Sequence, residues 1–415
     1  MLKIPFIFCC ILPVILGVPL TKDEYELNEV LDVAFDDFDS PLFRNPPTPD
    51  ELIRQEGYTA ETHEVVTEDG YILQVHRIAG SPKHPASKNK PVVLLQHGLL
   101  DCSASWIFTG PQKSLAFILA DWGYDVWTGN SRGSRYSRKH KYLATSNPDY
   151  WSFSWHEIGV YDLPAMIDYA LNHTKQKKLF YVGHSQGGTA FFVMASERPE
   201  YQQKIQASFN FAPAVFMSRA KNVLMRMLAP HVNNLMDLVD LIGIYEFKPS
   251  GKLIQSLGKK MCHDDAILQP FCKIIIFLFD GFDKEEFNMT LLPTIAQYDP
   301  AGASTMQLAH YAQLMNSGKF RKYDHGLIGN LNKYGKSQPP DYHLDNIKIP
   351  VYLYYSSNDV MVHTEDLHKL YKLLPNAQKF LVPFLLFSHL DFLFGKHVDT
   401  WVYNKVLNLM ERHKN

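Results

Sequence analysis

Leu179-Phe180-Tyr181-Val182-Gly183-His184-Ser185-Gln186-Gly187 is the stretch that decides the fold. Apolar residues run into Gly183, Ser185 stands at the centre of a G-x-S-x-G pattern, and Gly187 to Arg198 has the spacing of a helix. A strand, a sharp turn and a helix, in that order, make a nucleophile elbow. The turn forces its central residue into strained dihedrals and packs the strand end against the helix start. Gly183 and Gly187 carry no Cβ and leave room for that approach. The helix N-terminus adds positive potential beside the Ser185 hydroxyl.

The flanking sequence repeats strand–helix alternation. Before the elbow, Val92 to Gln96 and Tyr124 to Trp127 read as strands, and Leu115 to Trp122 and Tyr161 to His173 as helices. After it come strands at Ala207 to Phe211, Val351 to Tyr355 and Lys379 to Val382. Helices are expected at Thr364 to Leu374 and, last, Asp391 to Met410. Continuous apolar strands suit a sheet buried on both faces. Alternation with helices implies an α/β fold with a mostly parallel central sheet. Upstream, Glu51 to Glu56 predicts a short helix, and His63 to Thr67 and Tyr71 to Ile78 an antiparallel hairpin around Glu68-Asp69-Gly70. Residues 215–342 break the alternation with Met-, Leu- and Phe-rich helical segments. That length exceeds a loop, so an inserted helical cap and lid is expected there, between core parts 50–214 and 343–415.

A serine hydroxyl is a poor nucleophile until a base takes its proton. In this fold the order is serine, acid, histidine. His389 follows the last strand, in Phe387-Ser388-His389-Leu390-Asp391, and is the candidate base. His397 is its rival but falls at helical spacing. Asp359 follows the strand Val351 to Tyr355 and is the candidate acid, ahead of Glu365, Asp366 and Asp391. The oxyanion of an acyl-transfer intermediate needs backbone N–H donors. Gln186, after the nucleophile, supplies one, and Leu99 in His97-Gly98-Leu99-Leu100 the other. His97 precedes the elbow and has no nearby acid, which disfavours it as a base.

The remainder of the chain sets the context. Of 415 residues, 46% are hydrophobic and 20% charged, and the net charge of −2 gives no basic excess for nucleic acid. Lys3, an apolar run to Leu16 and Gly17 read as a secretory signal peptide over residues 1–17. Residues 18–49 are acidic and then proline-rich, as in a leader or propeptide. Cys262 and Cys272 could close a small loop after export, leaving Cys102 a buried thiol, with other pairings open. Asn172 and Asn288 head N-x-S/T sequons and are candidate glycosylation sites. There is no His-Glu-x-x-His helix and no phosphate-binding glycine loop, so neither a metal nor another cofactor is expected.

Taken together, Leu95 to Leu100, Gly129 to Gly133, Tyr161 to Ala165, Val182 to Gly187, Ala212-Pro213-Ala214 and His389 to Phe392 resemble the acid lipase family of gastric and lysosomal lipases, insect members included. The resemblance runs from about Asn45 to the C-terminus. It implies an α/β-hydrolase core with a cap over an apolar acyl site, acting on triacylglycerols or sterol esters. It carries the triad onto Ser185, Asp359 and His389, the oxyanion amides onto Leu99 and Gln186, and the family's cap disulfide onto Cys262 and Cys272. The implied partner is a lipid ester at an oil–water or membrane interface, with no nucleic acid and no obligate protein partner. The implied location is extracellular, or alternatively lysosomal. Two departures stand out. Gly188 occupies a position where many relatives have threonine, and Asp359 follows Ser357-Asn358 rather than a glycine-rich turn.

Overall fold

Apolar runs four to seven residues long become neighbouring strands because each buries both faces and finds its backbone partners sideways. The computed structural model describes residues 46–248 and 285–414. Helix α1 (Pro49–Gln55) leads into strands β1 (Thr59–Val66) and β2 (Tyr71–Gly80). Then come β3 (Val92–Gln96), α2 (Leu115–Asp121), β4 (Asp125–Gly129), the two-residue β5 (Lys139–His140), α3 (Leu163–Thr174), β6 (Leu179–His184), α4 (Gln186–Glu197) and β7 (Ile205–Phe211). The chain returns to the sheet only with β10 (Val351–Tyr355), α10 (Thr364–Leu373) and β11 (Ala377–Leu381).

The sheet order is β1-β2-β4-β3-β6-β7-β10-β11, with β5 on β2. β1, β2 and β4 pair antiparallel; from β4 to β11 every pairing is parallel. Every residue of β3, β4 and β6 is buried. β6 lies in the middle of this order, so the turn after it sits at the carboxyl edge of the sheet, flanked by the ends of β3 and β7. That edge is where open α/β sheets place their sites.

Between β7 and β10 lie α5 (Val223–Leu228), α6 (Val232–Ile242), β8 (Glu246–Phe247), α7 (Leu292–Tyr298), β9 (Ala303–Ser304), α8 (Thr305–Ser317) and α9 (Gly326–Tyr334). Among the described residues of this stretch helices predominate, with one addition: β8 and β9 form a short antiparallel ladder. Helix α8 rests on α4. The Tyr311 hydroxyl lies 3.0 Å from Thr189 Oγ1, and the Gln307 side-chain oxygen accepts from Gln186 Nε2 at 2.7 Å. Cys262, Cys272, the signal segment and nearly all of the leader lie outside the described residues. Cys102 is a buried free thiol.

One expected element is corrected. Asp391 to Met410 is not a single helix: α11 (Asp391–Phe394) stops at Gly395, and α12 (Asn404–Arg412) follows a wide turn. The inserted segment intrudes at the break. Phe287 bridges to Gly395, and Lys396 N–H donates to the Glu286 carbonyl at 2.9 Å. A Cβ on Gly395 would meet the Asp391 carbonyl at 2.7 Å and Glu286 Oε1 at 2.9 Å, so the close approach depends on glycine. No helix among the described residues is long and apolar enough to cross a membrane.

Candidate active site

Ser185 sits between β6 and α4 at φ 50° and ψ −113°, a region that L-residues rarely enter. Such a conformation costs on the order of 1–3 kcal/mol and persists only where surrounding contacts fix it. Here the Ser185 N–H donates to the Phe211 carbonyl at 2.9 Å, and its own carbonyl accepts from Thr189 N–H at 3.2 Å. The glycines on either side hold the backbones together. A Cβ on Gly183 would lie 2.6 Å from the Gly187 carbonyl carbon, and one on Gly187 would lie 2.3 Å from the Gln96 carbonyl oxygen. Strands β3 and β6 and helix α4 therefore meet with no space for a methyl group. Gly188 also has a local reason: its Cβ would fall 2.6 Å from Pro213 Cβ, so a larger residue requires the Ala212-Pro213-Ala214 turn to shift.

The loops after β10 and β11 bring Asp359 and His389 together. His389 Nδ1 lies 2.8 Å from Asp359 Oδ2, and both residues are buried. The other carboxylate oxygen, Oδ1, accepts the Met361 and Val362 N–H groups at 2.7 and 2.8 Å. The carboxylate is thus oriented from both ends. Asn358 Nδ2 donates to the Leu386 carbonyl at 2.7 Å, lashing the acid's loop to the histidine's loop. Asp391 Oδ2 accepts the Ser388 N–H and hydroxyl at 2.6 and 2.7 Å, so Asp391 shapes the turn that carries His389. His184, the residue before Ser185, closes the arrangement. Burial holds its imidazole well below the usual histidine range, hence neutral, and its Nε2–H donates to the His389 carbonyl at 2.9 Å. The two rings lie 4.9 Å apart, which brings His389 alongside the elbow.

The loop after β3 reaches the same point. A Cβ built on Gly98 would stand 3.2 Å from Ser185 Cβ. His97 is buried, and desolvation pushes its imidazole down to about 4. It stays neutral, with Nδ1–H donating to the Gly98 carbonyl at 2.7 Å and Nε2 accepting the Ser131 N–H at 3.1 Å. Both ring nitrogens are occupied by backbone, which leaves His97 no lone pair for a proton-transfer role. The Gly98 carbonyl and the Leu99 N–H are opposite ends of one trans peptide plane. By holding the carbonyl, His97 fixes the direction in which the Leu99 N–H points. Gln186 is the first residue of α4, so its N–H has no partner within the helix.

The rivals are occupied elsewhere. His397 Nδ1 lies 2.9 Å from Glu286, on a side chain 61% exposed. Asp366 binds Arg219 and Ser218, and Glu365 is an exposed partner of Arg219. Asn172 is exposed near the end of α3, and Asn288 is half-buried, its side-chain oxygen accepting from Thr290. Among the described residues, Glu61, His63 and His173 have metal-ligand spacing. However, Arg77 Nη1 is 2.8 Å from Glu61 and 3.1 Å from His173, and a guanidinium already fills that place. An open cleft of about 440 Å³ between β1 and α3 is lined by Tyr161, Tyr169, Tyr201 and Arg198 and includes no Ser185, Asp359 or His389.

Sequence reasoning missed His184, Gln307 and the ordering role of His97, because each acts through a contact made by the tertiary fold. Only His97 left a signal, through its place beside Gly98.

Comparison with known proteins fits this geometry. Residues 49–110 match the partial alpha/beta-hydrolase lipase region, and residues 91–232 match the alpha/beta hydrolase fold. The chain is 48% identical to "Lipase 3" of Drosophila melanogaster, over 88% of this chain and 93% of that one. It is 38% identical to gastric triacylglycerol lipase of Bos taurus, over 88% and 91%. It is 36% identical to human lysosomal acid lipase/cholesteryl ester hydrolase, over 88% and 90%. A solved structure from Sulfolobus solfataricus superposes with a TM-score of 0.54 at 13% identity, over 85% of this chain and 99% of that one, and shows the fold alone. The chain belongs to the gastric and lysosomal acid lipase family of α/β-hydrolases, and it is a serine ester hydrolase.

Proposed function

We propose that the chain is a lipase that hydrolyses carboxylic ester bonds of triacylglycerols or sterol esters through Ser185, His389 and Asp359. The observation that carries this reading is the buried His389–Asp359 pair, 2.8 Å long, packed against His184 of the elbow, whose next residue, Ser185, is held at φ 50°. His389 takes the Ser185 proton as the hydroxyl attacks the ester carbonyl. Asp359 keeps the proton on Nδ1, leaves Nε2 free to act as the base, and stabilises the imidazolium. The Leu99 and Gln186 N–H groups receive the oxyanion. His389 then protonates the leaving alcohol, and water activated by the same imidazole releases the fatty acid from the acyl-enzyme.

Lipid rather than small soluble esters is favoured by the insertion, whose helices carry exposed apolar side chains: Val223, Leu241, Leu327 and Ile328. The names of the gastric and lysosomal relatives support both the substrate class and an extracellular or lysosomal location. The Cys262–Cys272 disulfide, the removal of residues 1–17, and glycans on Asn172 and Asn288 belong to the same reading.

Hydrolysis of triacylglycerol emulsions of graded chain length, cholesteryl ester and soluble short esters tests it. Emulsified esters should turn over, and Ser185→Ala should abolish activity on every substrate. Wild-type activity in Ser185→Ala would sink the mechanism. Turnover of short soluble esters alone would reduce the protein to a general carboxylesterase.

A further inference from the structure

A second carboxyl cluster lies under the loop that carries Leu99, and the mechanism above does not use it. Asp101 comes from that loop in the core, and Asp299 from the insertion, just after α7. One oxygen of each carboxyl and the Cys102 sulfur all lie within 4.8 Å of one another. The Ser105 hydroxyl contacts both acids, Asp101 Oδ1 and, at 3.3 Å, Asp299 Oδ2. Beside the cluster the two parts of the chain are also joined through the backbone: Ala301 N–H donates to the carbonyl of Leu100, which sits at φ 65°.

The hydrogen-bond inventory limits the charge this cluster can carry. Ser105 has a single hydroxyl proton and touches two carboxyls. Asp101 is the end supplied with donors, namely the Cys102 N–H at 2.5 Å, the Ser105 hydroxyl and the Gly98 backbone. Asp299 Oδ1 is sealed from solvent and finds no donor among the described residues. Two part-buried carboxylates this close repel each other when both are ionised, which favours keeping one proton on the pair. Burial moves both above the ordinary carboxylate range, and the neighbouring Asp101 charge moves Asp299 further in the same direction. Among the described residues, the other groups facing the pair offset its charge only in part. The Cys102 thiol is buried and pushed up, Tyr136 and Tyr298 are phenols pushed up by burial, and the Arg135 guanidinium favours the charged form of Asp299 without outweighing burial and the Asp101 charge. Arg135 is itself engaged by the Gln297 carbonyl. Cys102, Ala104, Tyr298 and Ala301 form the apolar wall around the cluster.

We propose that Asp101 and Asp299 share one proton in a carboxyl–carboxylate clasp that ties the insertion to the oxyanion loop and so positions the Leu99 amide. Both are positioning residues. The inference rests on the reading of Leu99 as an oxyanion donor. With the proton in place, Asp299 donates and Asp101 accepts, and the Gly98–Asp101 backbone is held against residues 299–301. When the proton leaves, two like charges face each other across the seam between insertion and core, and the loop loses its anchor. The folded pair binds a proton that the unfolded chain has already released. Its contribution therefore weakens as pH rises from the ordinary carboxylate range through the pair's own, raised range.

The test compares full-length wild type with Asp299→Asn and Asp299→Leu. Asparagine keeps a donor to Asp101 and has no proton to lose, whereas leucine offers no hydrogen bond. For each, kcat and KM on a soluble ester and the thermal midpoint are followed across pH. Both the alkaline limb of kcat and the alkaline fall of the midpoint should move upward in Asp299→Asn by about one pH unit or more. Asp299→Leu should lose kcat at all pH values, with KM changed little. An infrared band of a protonated carboxylic acid near neutral pH, present in wild type and lost in Asp299→Asn, would support the shared proton independently of turnover or of a well-folded leucine variant. Its absence from wild type would overturn the clasp. A shifted midpoint profile with an unshifted kcat limb would overturn the positioning role while leaving Ser185 chemistry intact. Unshifted profiles in both readouts would overturn the pair itself.

Discussion

The elbow and the insertion obey opposite rules. At the elbow, β3, β6 and α4 approach so closely that the Gln96 carbonyl lies 2.3 Å from where a Gly187 Cβ would stand. In the insertion, α6 and α9 turn Leu241 and Ile328 outward, 81% and 74% exposed. Backbone contact dictates the residues of the first region, and few sequences satisfy it. In the second, the close backbone contacts are missing at these positions, and the exposed apolar side chains are not dictated by core packing. Sequence is thus constrained by backbone contact in one region and not in the other; under the proposed function, chemistry belongs to the rigid sheet edge and ester preference to the inserted helices.

That contrast can be broken in graded ways. Ser185 apart, the largest effect is expected at the acid. Asp359→Asn keeps the shape of the pair but presents the wrong hydrogen-bonding partner to His389 Nδ1, and should lower kcat by about 10³–10⁴-fold in steady-state assays. Next is Gly187→Ala, whose methyl group must push β3 or α4 aside. A loss of about 1–3 kcal/mol in denaturant unfolding is expected, with activity falling alongside. Ile328→Ser should change stability by only about 0.5 kcal/mol or less. It should weaken turnover of emulsified ester while sparing a soluble short ester; equal losses on both would remove α9 from any interfacial role. Smallest is His397→Gln, which exchanges an exposed side chain's contact with the buried Glu286 and should leave kcat unchanged. A large loss there would move the base away from His389.

Legibility in the sequence followed the same divide. Strand β10 occupies the residues expected of it, and the bounds of β6 and α4 differ by only a residue or two, because continuous apolar runs and the G-x-S-x-G turn are local signals. The last helix was not legible. Its periodicity runs through Gly395, but residues 286–287, more than a hundred positions earlier in the chain, pack into that point and break it. The β8–β9 ladder is only two residues long on each side, too short for any alternation to register. Ser185, Asp359 and His389 were nameable from their order along the chain. His184, Gln307 and the Asp101–Asp299 contact were not, since each depends on segments that only folding brings together.

The central claim is that Ser185 is the nucleophile, oriented by the His389–Asp359 pair at the edge of the sheet. Labelling with an active-site-directed phosphonate ester, followed by peptide mass analysis, tests it most directly. The account predicts one adduct per chain, on the peptide containing Ser185, formed in step with loss of hydrolysis and absent from Ser185→Ala. An adduct on another residue, or equal labelling of Ser185→Ala, would contradict it.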